Sequence, residues 1–286
     1  MDKKIGLIAG GGEFPLLFAR EAKNLGYAVF VIGFRDITPR EIEGYSAAVE
    51  YFRLGAISAP IDFLKKHGAD KVLMAGKVPH VSVFGGILPD LRAAKLLLTL
   101  KDRKANSLLG ALAGELARDG IELVSSATFL EHLMPAPGVL SGHKPDKDAL
   151  QNIAFGWKAA KALAALDIGL TVAVKDRVVI AAEAQEGTDE CIKRAGTVLR
   201  AGSRAAGERL SGLAVVKVAR PDQDMRFDLP VVGGATLDSM REAGASILAI
   251  EAAKTLILDK DAFLKKAADC GITVAAMTAE DFLPRD

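Results

Sequence analysis

Lys4-Ile5-Gly6-Leu7-Ile8-Ala9-Gly10-Gly11-Gly12-Glu13-Phe14-Pro15-Leu16-Leu17-Phe18-Ala19-Arg20-Glu21-Ala22-Lys23 is the stretch that decides the fold. Its first six residues form a short buried-strand pattern, its three glycines a turn, and Phe14 to Lys23 has helical spacing. A second strand pattern runs from Tyr27 to Gly33. The alternation then continues with a helix over Pro60 to His67, a strand over Lys71 to Ala75, a helix over Asn106 to Arg118 and a strand over Ile121 to Val124. Strands alternating with helices imply a parallel sheet covered on both faces. Right-handed crossovers make that layer Rossmann-like.

Met134-Pro135-Ala136-Pro137-Gly138 breaks the pattern and marks a domain boundary. The expected division is residues 1–133, a Rossmann-like domain, and residues 134–286, a second mixed α/β domain. In the second half a long helix is expected from Asp146 to Leu166. Leu170 to Val174 and Arg177 to Ala182 flank Lys175-Asp176 as a hairpin. Further strands are expected at Leu213 to Val218, Ser246 to Ile250 and Lys254 to Leu258, and helices at Glu190 to Arg200, Thr236 to Ala243 and Asp261 to Cys270.

With 286 residues, 50% hydrophobic and 26% charged, the chain has a globular balance and room for two domains. Its formal net charge of +1 gives no reason to expect a nucleic-acid partner. The two cysteines, Cys191 and Cys270, stand far apart without a CxxC, which fits buried thiols in a reducing compartment. The opening lacks a signal peptide, and no apolar run reaches the roughly 18 residues that span a bilayer. These features read as a cytoplasmic protein.

The triple glycine is the first candidate for chemistry. Glycines after a first strand let the backbone approach a phosphate, and the following helix N-terminus favours negative charge. Gly10 and Gly12 fit a dinucleotide fingerprint, but Pro15 stands at its third glycine. A tight βα turn explains the same residues. Ala75-Gly76-Lys77 forms a second glycine turn, and ligands of open parallel sheets bind at carboxyl strand ends, so Gly10 to Phe14 and Ala75 to Lys77 are expected to line one crevice. Lys77 is a candidate phosphate contact. Asp36, beyond the second strand, sits where a ribose-binding acid would stand, although an exposed loop aspartate accounts for it as well.

The second half holds two acidic loops after apolar runs, Glu183 to Asp189 and Arg220 to Pro230. Carboxylates gathered between arginines hold a hard cation or take a proton from water, while the arginines receive anionic oxygens. That suits phosphate chemistry. Thr188 also reads as a helix N-cap, and Asp222 and Asp224 as turn residues. Asp228 differs, because it directly precedes the apolar run Leu229 to Val232 and is expected to be partly buried and rigidly held, as a base or metal ligand must be. The four histidines show no ligand spacing.

Taken in order, Gly10-Gly11-Gly12, Ala75-Gly76, Leu166-Asp167-Ile168-Gly169, Glu183 to Asp189 and Gln223 to Pro230 give a chain that resembles the I-type UDP-2,3-diacylglucosamine pyrophosphatases of lipid A biosynthesis. The resemblance covers essentially the whole chain. It implies hydrolysis of UDP-2,3-diacylglucosamine, with Mg²⁺ as cofactor and water attacking the α-phosphorus, to UMP and 2,3-diacylglucosamine 1-phosphate (lipid X). It further implies a nucleotide-side N-terminal domain, a lipid-side C-terminal domain and chemistry between them. The aspartate of the family's Arg-x-Asp-Leu-Pro motif, tied to catalysis, is Asp228 here. A homodimer is implied, with exchange of domains between protomers as one form of it, as is peripheral contact with the cytoplasmic face of the inner membrane. Two departures stand out: Leu170 where Gln often follows Asp-Ile-Gly, and Ala105-Asn106 where an acidic pair is common.

Substrate contacts are accordingly expected at Gly11, Gly12, Phe14, Pro15, Gly76, Lys77, Thr188, Lys217 and Arg226. Asp228, Glu186 and Asp189 are the candidate metal ligands. The apolar runs Val83 to Leu100 and Phe129 to Leu140 supply mostly core and some cover for acyl chains. Two other classes fit parts of the pattern. A nicotinamide-dependent oxidoreductase is favoured by the opening turn and Asp36 and opposed by Pro15. A non-catalytic UDP-lipid carrier would bind without turnover and tolerate loss of Asp228.

Overall fold

The computed structural model describes residues 3–78, 89–100, 105–202, 212–227 and 229–282. The chain divides into two compact units, one of residues 1–130 with 224–228, the other of residues 131–223 with 229–286. The short described segment 224–227 therefore packs with a unit from which it is almost 100 residues distant in sequence.

In the first unit, β1 (Lys4–Ala9) is followed by α1 (Phe14–Asn24), β2 (Ala28–Phe34), a 3₁₀ turn (Arg40–Tyr45), β3 (Ala48–Phe52), α2 (Ser58–His67), β4 (Lys71–Ala75), α3 (Leu91–Thr99), α4 (Ala105–Arg118) and β5 (Glu122–Leu123). The five strands form one sheet in the order β3-β2-β1-β4-β5, every pairing parallel. This is the expected Rossmann-like layer, with strand order reversing between β1 and β4. Pro15, Phe18, Ala19 and Ala22 form the buried stripe of α1, and full burial of Phe18 is worth about 2 kcal/mol. Ile61, Phe63 and Leu64 of α2 pack with Phe30, Ile32 and Phe52.

The second unit opens with a 3₁₀ turn (Glu131–Leu133), β6 (Gly138–Ser141) and α5 (Lys147–Ala165), whose first turn is capped by Asp146 accepting from the Ala149 amide at 2.8 Å. There follow β7 (Thr171–Lys175), β8 (Val178–Ala182), α6 (Thr188–Gly202), β9 (Leu213–Lys217), β10 (Val231–Val232), α7 (Gly234–Ala243), β11 (Ala245–Glu251), β12 (Leu256–Ile257), α8 (Lys260–Asp269), β13 (Thr273–Met277) and a 3₁₀ turn (Ala279–Phe282). Six strands make a mixed sheet in the order β6-β13-β11-β9-β7-β8, with β9, β11 and β13 parallel and the outer strands antiparallel. One face carries α5 through Ile153, Trp157, Ala160 and Ala164. The other carries α6, α7 and α8 through Ile192, Leu237, Met240 and Phe263. The mixed α/β reading of this half is thereby borne out.

Several details differ from expectation. The β7–β8 turn falls at Asp176-Arg177, one residue later than Lys175-Asp176, because both residues adopt positive φ, 51° and 60°, as a type I′ turn requires. The expected strand from Lys254 to Leu258 shrinks to Leu256–Ile257, which among the described residues pairs only with β10. β3, β6, β10 and β13 carried no strand expectation. β3 is a half-exposed edge strand with little alternation in its burial, and β13 is a short apolar run that periodicity alone does not assign. Among the described residues no helix is long and apolar enough to cross a membrane. Val83 to Leu88 of the expected acyl-covering run lie outside the described residues. In the part that is described, Leu91 and Leu98 of α3 are exposed rather than core.

Candidate active site

The sequence stretch that set the fold also builds the first group of candidate residues. Because the order reverses between β1 and β4, the turns after these two strands meet at the switch point, the position where open α/β sheets take ligands. The Gly10 amide donates to the Ala75 carbonyl at 2.8 Å. Gly11 and Lys77 exchange backbone hydrogen bonds of 2.8 and 3.0 Å. The turns are so close that a Cβ on Gly10 would lie 2.8 Å from the Gly76 carbonyl carbon, and one on Gly76 (φ +91°) 2.6 Å from Gly11 O and 2.7 Å from Pro15 Cγ. Gly10 and Gly76 are thus required by contact of one turn with the other. Gly12 faces open space at φ +90°, and among the described residues no side chain caps the N-terminus of α1, which begins at Phe14 and Pro15. Gly11, Gly12, Phe14, Pro15, Gly76 and Lys77 therefore gather at one strand edge. Asp36 is an exposed loop residue at φ 60°.

Arg226 stands on the segment that packs with this unit. Ser126 fixes that segment: its amide donates to the Met225 carbonyl at 2.8 Å, and its hydroxyl lies 2.7 Å from the Met74 carbonyl oxygen and 3.0 Å from that of Arg226. Sequence reading missed Ser126, and no local signal marks a serine that bonds residues 100 positions away. The Arg226 guanidinium pairs with Asp224 through Nε and Nη2, at 3.0 and 2.7 Å, and stacks on Phe227. The arginine bonds hold the Asp224 carboxyl below its ordinary range despite partial burial. Asp228 lies outside the described residues. Its successor Leu229 is buried, and Val231-Val232 pairs with Leu256-Ile257, so the chain is anchored directly after it.

The second unit brings Thr188 and Lys217 together. Lys217 ends β9, a strand buried throughout, and its ammonium donates to Thr188 Oγ1 at 2.6 Å. Thr188, at the start of α6, donates in turn to Glu183 Oε1 at 3.0 Å. The second Glu183 oxygen accepts from the Leu170 amide at 3.3 Å. All three side chains are at least nine-tenths buried, and a buried lysine and glutamate persist only when paired in this way. Gly169 explains the Asp-Ile-Gly motif, since a Cβ there would lie 2.2 Å from Glu183 O. Beside it Asp167 pairs with Arg220. Leu170, the departure from the family pattern, contributes only backbone to this network. On the adjacent parallel strand Glu251 accepts from Lys161 at 2.6 Å and from the Ala219 amide at 2.8 Å. Neither Lys161 nor Glu251 was singled out in the sequence, because their 90-residue separation exists only as a contact in space.

The candidate metal ligands fare unequally. Glu186 is held by Arg194 and accepts from the Ala184 amide at 3.2 Å. Burial raises its carboxyl pKa, but bonds from its own amide, Arg194 and Ala184 outweigh this and hold it below the ordinary value. Asp189 has one buried oxygen, Oδ1, without a hydrogen-bond partner. Among the described residues no group of three or more carboxylate, histidine or cysteine side chains gathers as a cation cage. Magnesium keeps several waters and uses one or two protein carboxylates together with substrate phosphates, so the free oxygen of Asp189 fits such a role and the engaged Glu186 fits it less well. Nearby Cys191 is fully buried and its thiol is pushed up to about 12, first by burial, with Glu183 and Glu186 adding to it.

The family model described as the LpxI N-terminal domain matches residues 4–133, and that described as the LpxI C-terminal domain matches residues 136–275. The UDP-2,3-diacylglucosamine pyrophosphatase LpxI of Caulobacter vibrioides is 30% identical over 282 residues, 98% of this chain and 99% of the relative. Among solved structures, N5-carboxyaminoimidazole ribonucleotide synthetase from Thermotoga maritima is 18% identical at a TM-score of 0.27, covering 64% of this chain and 42% of its own. UDP-glucose-4-epimerase from Stenotrophomonas maltophila is 13% identical at a TM-score of 0.28, covering 95% and 98%. Likenesses that distant bear on neither reaction nor ligand. With both halves matched and a full-length relative at 30% identity, the chain belongs to the LpxI family.

Proposed function

We propose that the protein is a UDP-2,3-diacylglucosamine pyrophosphatase acting in lipid A biosynthesis. The observation that carries this is similarity over 98% of the chain to a relative of that name. In the reaction, water oxygen bonds to the α-phosphorus, and the bond from that phosphorus to the bridging oxygen breaks. The bridging oxygen leaves with 2,3-diacylglucosamine 1-phosphate (lipid X), and UMP retains the oxygen from water.

The roles follow the chemistry of the groups. Asp228 takes the water proton, the role of a general base, worth about 10²- to 10⁴-fold. The Lys217 ammonium, fixed by Thr188, and the Arg226 guanidinium receive charge that grows on phosphoryl oxygens. The glycine turns and the N-terminus of α1 receive the uridine-side phosphate, with Lys77 beside them. Asp189 and Asp228, with Glu186 as a further donor, are the residues that would hold Mg²⁺, which when bound would supply positive charge at the diphosphate. Residues 1–133 form the nucleotide side and 134–286 the lipid side in this reading. The protein would work as a homodimer, domain-swapped in one form, at the cytoplasmic face of the inner membrane, where a substrate with two acyl chains resides.

The test is incubation of purified protein with UDP-2,3-diacylglucosamine in ¹⁸O-water, with Mg²⁺ or with EDTA. Labelled UMP and unlabelled lipid X, formed only with Mg²⁺, are the expected products. Label in lipid X would move the attack to the other phosphorus, and absence of any turnover by folded protein would reject the reaction.

A further inference from the structure

The first unit also carries a cleft at its ligand edge, lined by residues other than those of the β1–β4 glycine turns. It is an open cleft of about 570 Å³ at the carboxyl ends of β2 and β3, closed by the starts of α2 and α3. The parallel register ends on Phe34↔Phe52, so the next residues, Arg35 and Arg53, stand side by side, and the Arg35 amide still donates to the Phe52 carbonyl at 3.3 Å. Backbones there lie about 4.8 Å apart. Both residues line the cleft and are exposed, and neither guanidinium has an ion pair or side-chain hydrogen bond among the described residues. Two like charges in adjacent register repel, and an anion between them relieves the repulsion.

The carboxylates of the cleft do not fill that place. Asp90 accepts backbone bonds from Ile57 at 2.9 Å, Ser58 at 2.8 Å and Ala93 at 2.8 Å, so its oxygens are used in capping α2 and α3. Glu50 also lines the cleft, is exposed, and pairs with no cation among the described residues. Guanidiniums matched to a phosphate and a carboxylate able to accept from hydroxyls form a complementary set.

The geometry points to a sugar-phosphate site in this cleft: Arg35 and Arg53 hold the phosphate and Glu50 accepts from sugar hydroxyls. It is separate from the residues assigned to hydrolysis and does not rest on that assignment. The full chain, labelled with ¹⁵N-arginine, is titrated with ribose 5-phosphate, UMP and inorganic phosphate while the arginine Nε–H resonances are followed. Arg35→Gln and Arg53→Gln assign the two signals, and circular dichroism checks their folding. Both signals are expected to shift saturably with ribose 5-phosphate, and inorganic phosphate or Glu50→Gln should weaken binding about tenfold, the equivalent of one hydrogen-bonded contact. Tighter binding of UMP than of ribose 5-phosphate would identify the source as a nucleotide; the reverse would identify a free sugar phosphate. Equal affinity for inorganic phosphate, a shift at only one arginine, or no shift at either overturns the site.

Discussion

Lys217 Nζ lies 2.6 Å from Thr188 Oγ1, a strand end joined to a helix start across 29 residues of sequence. The contact positions a buried cation and passes through the hydroxyl to Glu183. Thr188→Val removes that hydroxyl and leaves a buried ammonium and carboxylate each short of a partner, at a cost of about 1–3 kcal/mol. Thr188→Ser keeps it and should stay near wild type. Urea unfolding of the two variants checks this, and equal stabilities would show that the network is not maintained.

Asp228→Asn should fold normally while hydrolysis falls by about 10²- to 10⁴-fold, since an amide takes no proton from water. Initial rates alongside circular dichroism decide it, and near-normal turnover would remove Asp228 from the mechanism.

Gly76→Ala should destabilise the first unit by about 2 kcal/mol or more, because a Cβ at φ +91° would also press on Gly11 and Pro15. Gly12→Ala meets only the cost of its φ, with no atom within 4 Å, and should lose about 1 kcal/mol. Thermal unfolding should rank the two in that order.

Glu251 is buried, which raises its carboxyl pKa, but Lys161, Lys254 and the Ala219 amide more than reverse this and leave it below its ordinary 4.5. A depressed folded value means stability that is fully present above about pH 4.5 and is lost as pH falls through the folded pKa. Glu251→Gln breaks the buried pair, should cost about 3 kcal/mol at pH 7, and should flatten the acid limb of the stability profile. An unchanged limb would assign the acid sensitivity to other carboxylates.

Cys191, with its thiol raised to about 12 and no exposed surface, should react with a thiol reagent at pH 8 only at the rate of unfolding, whereas the half-buried Cys270 reacts sooner. Mass spectrometry of the modified peptides distinguishes them.

Local order was legible wherever a segment's own residues impose it. The apolar run Lys4 to Ala9, the glycines behind it and the stripe through Phe18 and Ala22 specify strand, turn and helix. Repetition of that unit specifies a parallel sheet, because a crossover through a helix allows little else. The acidic loops were also visible as chemistry, from residue type alone. Tertiary structure decided which of those groups are free to act. Glu186 and Asp189 look alike in the sequence, yet Arg194 engages one and leaves the Oδ1 of the other unpartnered. Ser126 pinning the backbone before Asp228, Lys217 reaching Thr188, and Arg35 standing beside Arg53 all depend on strand order and register. Those arise from burying whole faces against one another, a free energy summed over many residues that no single stretch of sequence carries.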